Sequence, residues 1–167
     1  MNSMHAMSVP IFVKTLGNLA AVLDKAAAHA QAKKIDQSVL LNARLFPDMF
    51  AFTRQVQLAC DFAKNTVARL AGQEPPKFED TETSIEQLQA RIARTLEFVR
   101  GFDAAALDGA ETREISIKVR DTVQKYVGLP YLAHAALPNF FFHATTAYDI
   151  LRHNGVELGK RDFIGSL

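Results

Sequence analysis

Four stretches of this sequence carry apolar residues at steps of three and four, and prolines or glycines separate them. In the first, Phe12, Leu16, Leu19, Leu23, Ala26 and Ala30 form the stripe, while Lys14, Asn18 and Lys25 lie off it. A stripe of this period is buried only when the segment is helical and packs on other helices. Pro10 suits a first-turn position, where its missing N–H costs little, so the first helix is expected from about Pro10 to Lys33. Asp36 reads as the N-cap of a short helix through Leu40 to Leu45. Beyond Pro47, the residues Phe52, Val56, Ala59, Ala63, Val67 and Leu70 mark a second long helix, with Gly72 as its C′ residue. Gln73-Glu74-Pro75-Pro76 is a loop. Thr83 with Glu86, and Ser84 with Gln87, each fit a capping box ahead of Ile85, Leu88, Ile92, Leu96 and Val99, the third helix. Pro130 opens the last long helix, to about Asn154. Pro138 should kink or split it, and Gly155 is placed as its C′ residue.

One segment changes period. Ile115, Ile117 and Val119 alternate with Glu114, Ser116 and Lys118, which predicts a strand over 113–119. Thr122–Val127 is its expected partner, across a turn near Arg120-Asp121. Two strands alone are marginal, so the hairpin must lean on the helices. The expected fold is all-α: an antiparallel four-helix bundle, one domain over 1–167, with a short β-hairpin inserted before the last helix. Residues 1–8 are expected to be disordered and Val156–Leu167 to form an extended strap. Roughly thirty residues join the third helix to the fourth, which argues against a simple up-down-up-down order.

Charge and cysteine usage narrow the partners. A formal net charge of +1 leaves no footprint for nucleic acid or an anionic membrane surface. The single cysteine, Cys60, excludes a disulfide within the chain and suits a reducing compartment. No apolar run approaches the roughly 20 residues of a membrane span, and no charged n-region precedes an apolar core, so a cytoplasmic protein is expected.

The polar residues that stand out are few. Asn139 and His143 are four apart on one face of the last helix, beside Ala136, Ala147 and Ile150. Gln55 lies with Phe52, Leu58, Ala59 and Phe62 and faces inward despite its polarity. Polar groups on apolar stripes need partners inside the protein. His143, Asn139 and Gln55 are therefore candidate ligands for a divalent transition metal, with Asp48 as a further donor, although neutral amide oxygens are poor ligands. The alternative is a buried hydrogen-bond network among the three. His134 and His143 sit nine apart, about 13 Å along a straight helix, and cannot share an ion. Tyr148 points inward, and its hydroxyl also needs a partner. His134 reads as a core histidine, His29 as a surface one and Cys60 as a small apolar core residue. There is no GxSxG, phosphate loop or dinucleotide fingerprint. The run Phe140–Phe142 cannot all face one core, so at least one ring should meet the tail or a second subunit.

Several segments together resemble a known family: Val9-Pro10-Ile11-Phe12, Asn42-Ala43-Arg44-Leu45-Phe46-Pro47-Asp48-Met49-Phe50, Phe78-Glu79-Asp80-Thr81-Glu82-Thr83, Leu137-Pro138-Asn139-Phe140-Phe141-Phe142-His143, Ala147-Tyr148-Asp149-Ile150-Leu151-Arg152-His153-Asn154-Gly155, and Gly159-Lys160-Arg161-Asp162-Phe163. The chain resembles the bacterial domain-of-unknown-function family nineteen ninety-three, of the DinB/YfiT-like superfamily. That resemblance implies a bundle of up-down-down-up order and a metalloenzyme-type site of three histidines. In it His143 matches the second member of an HxxxH pair, Asn139 stands at the first, and Gln55 stands at the helix-two position. The expected function is binding of a small ligand between the second and fourth long helices by Gln55, Asn139, His143 and Tyr148, with a degenerate metal site. If the protein is an enzyme, His143 is its expected general base or metal ligand. The alternative is a non-catalytic, structural or stress-related homodimer without metal.

Overall fold

The computed structural model describes residues 3–119 and 121–166. The chain is mostly helical, with one small antiparallel sheet. A short helix α1 (Ser3–Ala6) leads into the long α2 (Val9–Lys33). After α3 (Gln37–Leu41) come the long helices α4 (Phe52–Leu70) and α5 (Ile85–Arg100). Strands β1 (Glu114–Val119) and β2 (Thr122–Val127) form the hairpin. It runs into α6 (Gly128–Tyr131), a π-helical turn (Leu132–Ala136), α7 (Leu137–His153) and a terminal α8 (Lys160–Ile164). Helix α4 packs on both α7 and α5, and α2 packs on α5, α7 and α8. The expected stripes meet between them: Phe12, Leu16, Leu23, Phe52, Val56, Leu88, Ile92 and Phe140 are all fully buried.

The local signals behave as their chemistry requires. The Asp36 carboxylate accepts the Ser38 N–H at 2.8 Å and caps α3. Ser84 caps α5 by accepting the Gln87 N–H at 3.2 Å, and the Gln87 side chain accepts the Thr83 N–H in return at 2.6 Å. Gly72 and Gly155 follow α4 and α7 with φ of 72° and 88°, as C′ glycines do. At Gly128 the constraint is contact rather than torsion. A Cβ there would lie 1.8 Å from the Ala110 carbonyl oxygen, so only glycine lets the hairpin turn into α6 at this point.

Several expectations need correction. Residues 3–8 are ordered: Met4 is fully buried, and the Ser8 hydroxyl donates to the Met4 carbonyl. Residues 1 and 2 lie outside the described set, as does Arg120 in the hairpin turn. The tail is not an extended strap throughout. Gly159 starts α8, where the Asp162 carboxylate accepts the Gly159 N–H at 2.8 Å and pairs with Lys25 at 2.7 Å. Pro138 is expected to kink or split the last helix, and the interruption falls just ahead of it: the π turn Leu132–Ala136 separates α6 from α7, and Pro138 sits in the first turn of α7, where its missing N–H costs least. Finally, Met4–Lys33 is long enough to cross a membrane, and an 18-residue window within it is apolar enough, with a mean hydropathy of 1.5. Phe12, Leu16, Leu19, Leu23 and Ala26 on it are buried against the other helices, the pattern of a core helix.

Candidate functional site

Helices α4 and α7 bring Gln55 and His143 together. The His143 Nδ1 lies 2.7 Å from the Gln55 Oε1, and the Gln55 Nε2 donates to the Phe50 carbonyl at 3.1 Å. Because the amide nitrogen is committed to a carbonyl, its oxygen must be the acceptor toward the ring. Nδ1 therefore carries the proton, and Nε2 keeps a free lone pair. Gln55 is 1% exposed and His143 8%. Phe62 stacks on the imidazole with centroids 5.6 Å apart, and Phe142 meets it edge-on at 5.2 Å. Burial in these apolar surroundings, helped by the positive charge of Arg54, lowers the His143 pKa to about 4. The ring is thus neutral at physiological pH.

Asn139 and Tyr148 do not join this pair. Asn139 is exposed, and its Nδ2 donates to the Ala135 carbonyl at 2.7 Å, within the turn that Pro138 opens. Tyr148 is half-buried on another side of α7, where it meets Phe163 of α8 at 5.8 Å. His134 is exposed rather than in the core, and Asp48 is exposed in the loop ahead of α4. The metal implied by the resemblance therefore lacks its ligand set. The Gln55 oxygen is taken by the His143 Nδ1–H and Asn139 is turned to a backbone carbonyl, so of the three the His143 Nε2 alone keeps a free lone pair. Among the described residues no group of three His, Cys, Asp or Glu side chains is arranged to hold a metal ion. One free imidazole nitrogen without further donors beside it does not fit a transition-metal centre.

Phe62 has a second face. Beyond it a cleft of about 350 Å³ opens between α4, the π turn with the start of α7, and the hairpin. Leu58, Phe62, Ile117, Tyr126, Tyr131 and Ala135 supply its apolar and aromatic walls, and Asn65, Arg69, Gln124, Asn139 and Asp61 its polar groups. Tyr131 is 2% exposed; its hydroxyl accepts from the Arg69 Nη1 at 3.1 Å and lies 3.5 Å from the Thr66 hydroxyl. Tyr126 tilts against Tyr131 at 5.6 Å, which fastens the hairpin to the helices. Of the expected ligand-binding residues, only Asn139 lines this cleft. Arg69, Tyr126 and Tyr131 escaped the reading. One signal pointed to them: Leu58, Phe62, Asn65 and Arg69 follow steps of four, three and four on α4, a second face of mixed polarity beside its core stripe.

A different polar cluster explains the Phe78–Thr83 segment. Arg91, 4% exposed on α5, binds Glu82 at 2.9 Å, Asp61 at 3.0 Å and Asp80 at 3.0 Å, and it donates to the Glu79 carbonyl. Burial opposes its charge. The Glu82 hydrogen bond and the Asp61 and Glu82 charges outweigh that, so its pKa lies above arginine's usual value. Lys64 donates to the Pro76 carbonyl and to Asn65, and Gln57 donates to Glu82 at 2.8 Å. The acidic stretch is therefore a strap tied to α4 and α5. The larger hollow beside Phe78, about 540 Å³, is more open, and the buried Arg91 in its wall is already paired with carboxylates.

A mostly helical chain with a short hairpin ahead of its last long helix, and a cleft between that helix and α4, defines a class of fold. The family profile "Domain of unknown function (DUF1993)" matches residues 4–164, and the chain belongs to that family. It is similar to a DinB family member protein from Shewanella denitrificans, with 46% sequence identity and a TM-score of 0.93, over 99% of this chain and 93% of that one. No curated protein matches the sequence.

Proposed function

We propose that this protein binds a small organic molecule in the cleft between α4, α7 and the hairpin. The observation that carries the reading is the cleft itself, walled by aromatic rings with a few polar groups aimed inward. The π turn in its wall adds support, since such turns recur at functional sites. The likeness to a DinB family member supports one DinB-type bundle domain of four long helices in up-down-down-up order, with the ligand between the second and the fourth. His143 backs the cleft through Phe62 rather than lining it. Its free Nε2 and neutral ring suit it to accept a hydrogen bond or a proton, and a pKa of about 4 makes it a weak base. Cys60, a buried thiol, supports a reducing compartment such as the cytoplasm. The test is to fill the cleft: Ala135→Trp should abolish small-molecule binding detected by NMR while leaving the melting temperature within a few degrees. Binding that persists with the cleft filled would refute the reading.

A second reading rests on a separate observation. Phe46, Phe50 and Phe142 are 64%, 56% and 55% exposed, and the last two adjoin the Gln55–His143 pair. Exposed rings in the loop ahead of α4 and on α7 favour self-association, as a homodimer.

A further inference from the structure

The cleft's charges are unequal in a way that selects a ligand. Asp61, its one carboxylate, is neutralised by Arg91 at 3.0 Å and Lys64 at 3.7 Å. Arg69, its one cation, makes no ion pair among the described residues, and its side chain donates to the neutral Tyr131 hydroxyl. That bond uses one N–H of the five in the guanidinium fork and holds the group in place at the cleft wall. A half-buried guanidinium without a counter-ion, beside aromatic walls, matches one kind of small molecule: an apolar or aromatic body that ends in an anion. Carboxylate is the anion whose planar geometry the free edge of the fork fits best.

We infer that the cleft takes a small aromatic or aliphatic carboxylate, with Arg69 binding the head group and Phe62, Tyr126 and Tyr131 enclosing the body. The inference rests on the cleft being a ligand site, and it names the ligand's class. Tyr131 positions Arg69, and the rim amides keep one end each for polar substituents on the ligand: Asn65 and Gln124 their nitrogens, since their oxygens accept from Lys64 and Tyr126, and Asn139 its oxygen, since its nitrogen donates to the Ala135 carbonyl.

Three probes of one shape test it against the full-length, isotope-labelled protein: 3-phenylpropionate, its neutral amide and 3-phenylpropylamine. Shifts at the backbone amides of Phe62, Ile117 and Ala135 report occupancy of the cleft. The carboxylate should bind about tenfold more tightly than the amide, the worth of one charge-assisted hydrogen bond, and the amine most weakly. Arg69→Gln should bring the carboxylate down to the level of the amide and leave the amide unchanged, whereas Arg69→Lys should keep part of the preference. If the amide binds as well as the carboxylate and shifts the same residues, the ligand site stands and the carboxylate inference falls. If no probe shifts those residues, both fall. Should Arg69→Gln fail to fold, the wild-type ranking of the three probes decides alone.

Discussion

His143 carries two measurable consequences. Its pKa is about 4 in the folded protein against histidine's ordinary 6.5, so the unfolded chain takes up a proton that the folded chain refuses. The stability it contributes is complete above pH 6.5 and is lost as pH falls from there toward 4, by up to about 3 kcal/mol. A His143→Leu variant should lack this part of the acid dependence, which urea titrations at pH 7.0 and 4.5 would reveal; a wild-type His143 resonance titrating near 6.5 would contradict it. Replacing the ring with alanine leaves the Gln55 oxygen buried without its donor and a void beside Phe62. His143→Ala should therefore cost about 2 kcal/mol, a fall of roughly 4–8 °C in melting temperature. Cys60 is wholly buried, and burial pushes its thiol up to about 12. It should resist iodoacetamide in the native protein and react at once in urea. The Gln55–His143 pair was legible because each is polar on an apolar stripe. Asn139 shares the nominal face of His143, but its side chain serves the carbonyl of its own turn, a local bond that helical spacing does not register.

At the scale of elements, the strap over 71–84 depends on Arg91. Arg91→Met would leave Glu82 without its cation and Asp61 with Lys64 alone, and a loss of about 3 kcal/mol is expected, with early protease cleavage near Pro75–Phe78. Arg91→Lys should recover little of it, because an ammonium group lacks the fixed fork of N–H groups that binds the three carboxylates. The hairpin hangs on Gly128 in a similar way. Gly128→Ala forces a methyl group into the Ala110 carbonyl and should displace the hairpin, loosening the cleft as well as the fold. The long helices and their caps were legible because period and cap chemistry are local. The strap was less so: its acidic residues gain their meaning from Arg91, Arg54 and Gln57, which lie on two different helices, nine to 26 residues away. The π turn escaped for a different reason. Proline signals a disruption, and the surrounding packing chooses between a kink and a wider turn.

For the molecule as a whole, two surfaces remain to be assigned, the exposed phenylalanines and the cleft. If the first joins two copies, sedimentation equilibrium should give a dimer, and the Phe46→Ser/Phe142→Ser double variant a monomer of unchanged melting temperature; a wild-type monomer at about 100 μM, where an association of roughly 5.5 kcal/mol would already show, would rule that surface out. The cleft decides the larger question, and it was the part least open to sequence. Its walls come from α4, the hairpin and the π turn, so no single period reveals it. Crystals soaked with a library of small organic fragments test it most directly. The account predicts bound fragments between Phe62 and Tyr131, carboxylates among them with the anion at Arg69. Fragments that gather instead in the hollow beside Phe78, with this cleft untouched, would contradict it.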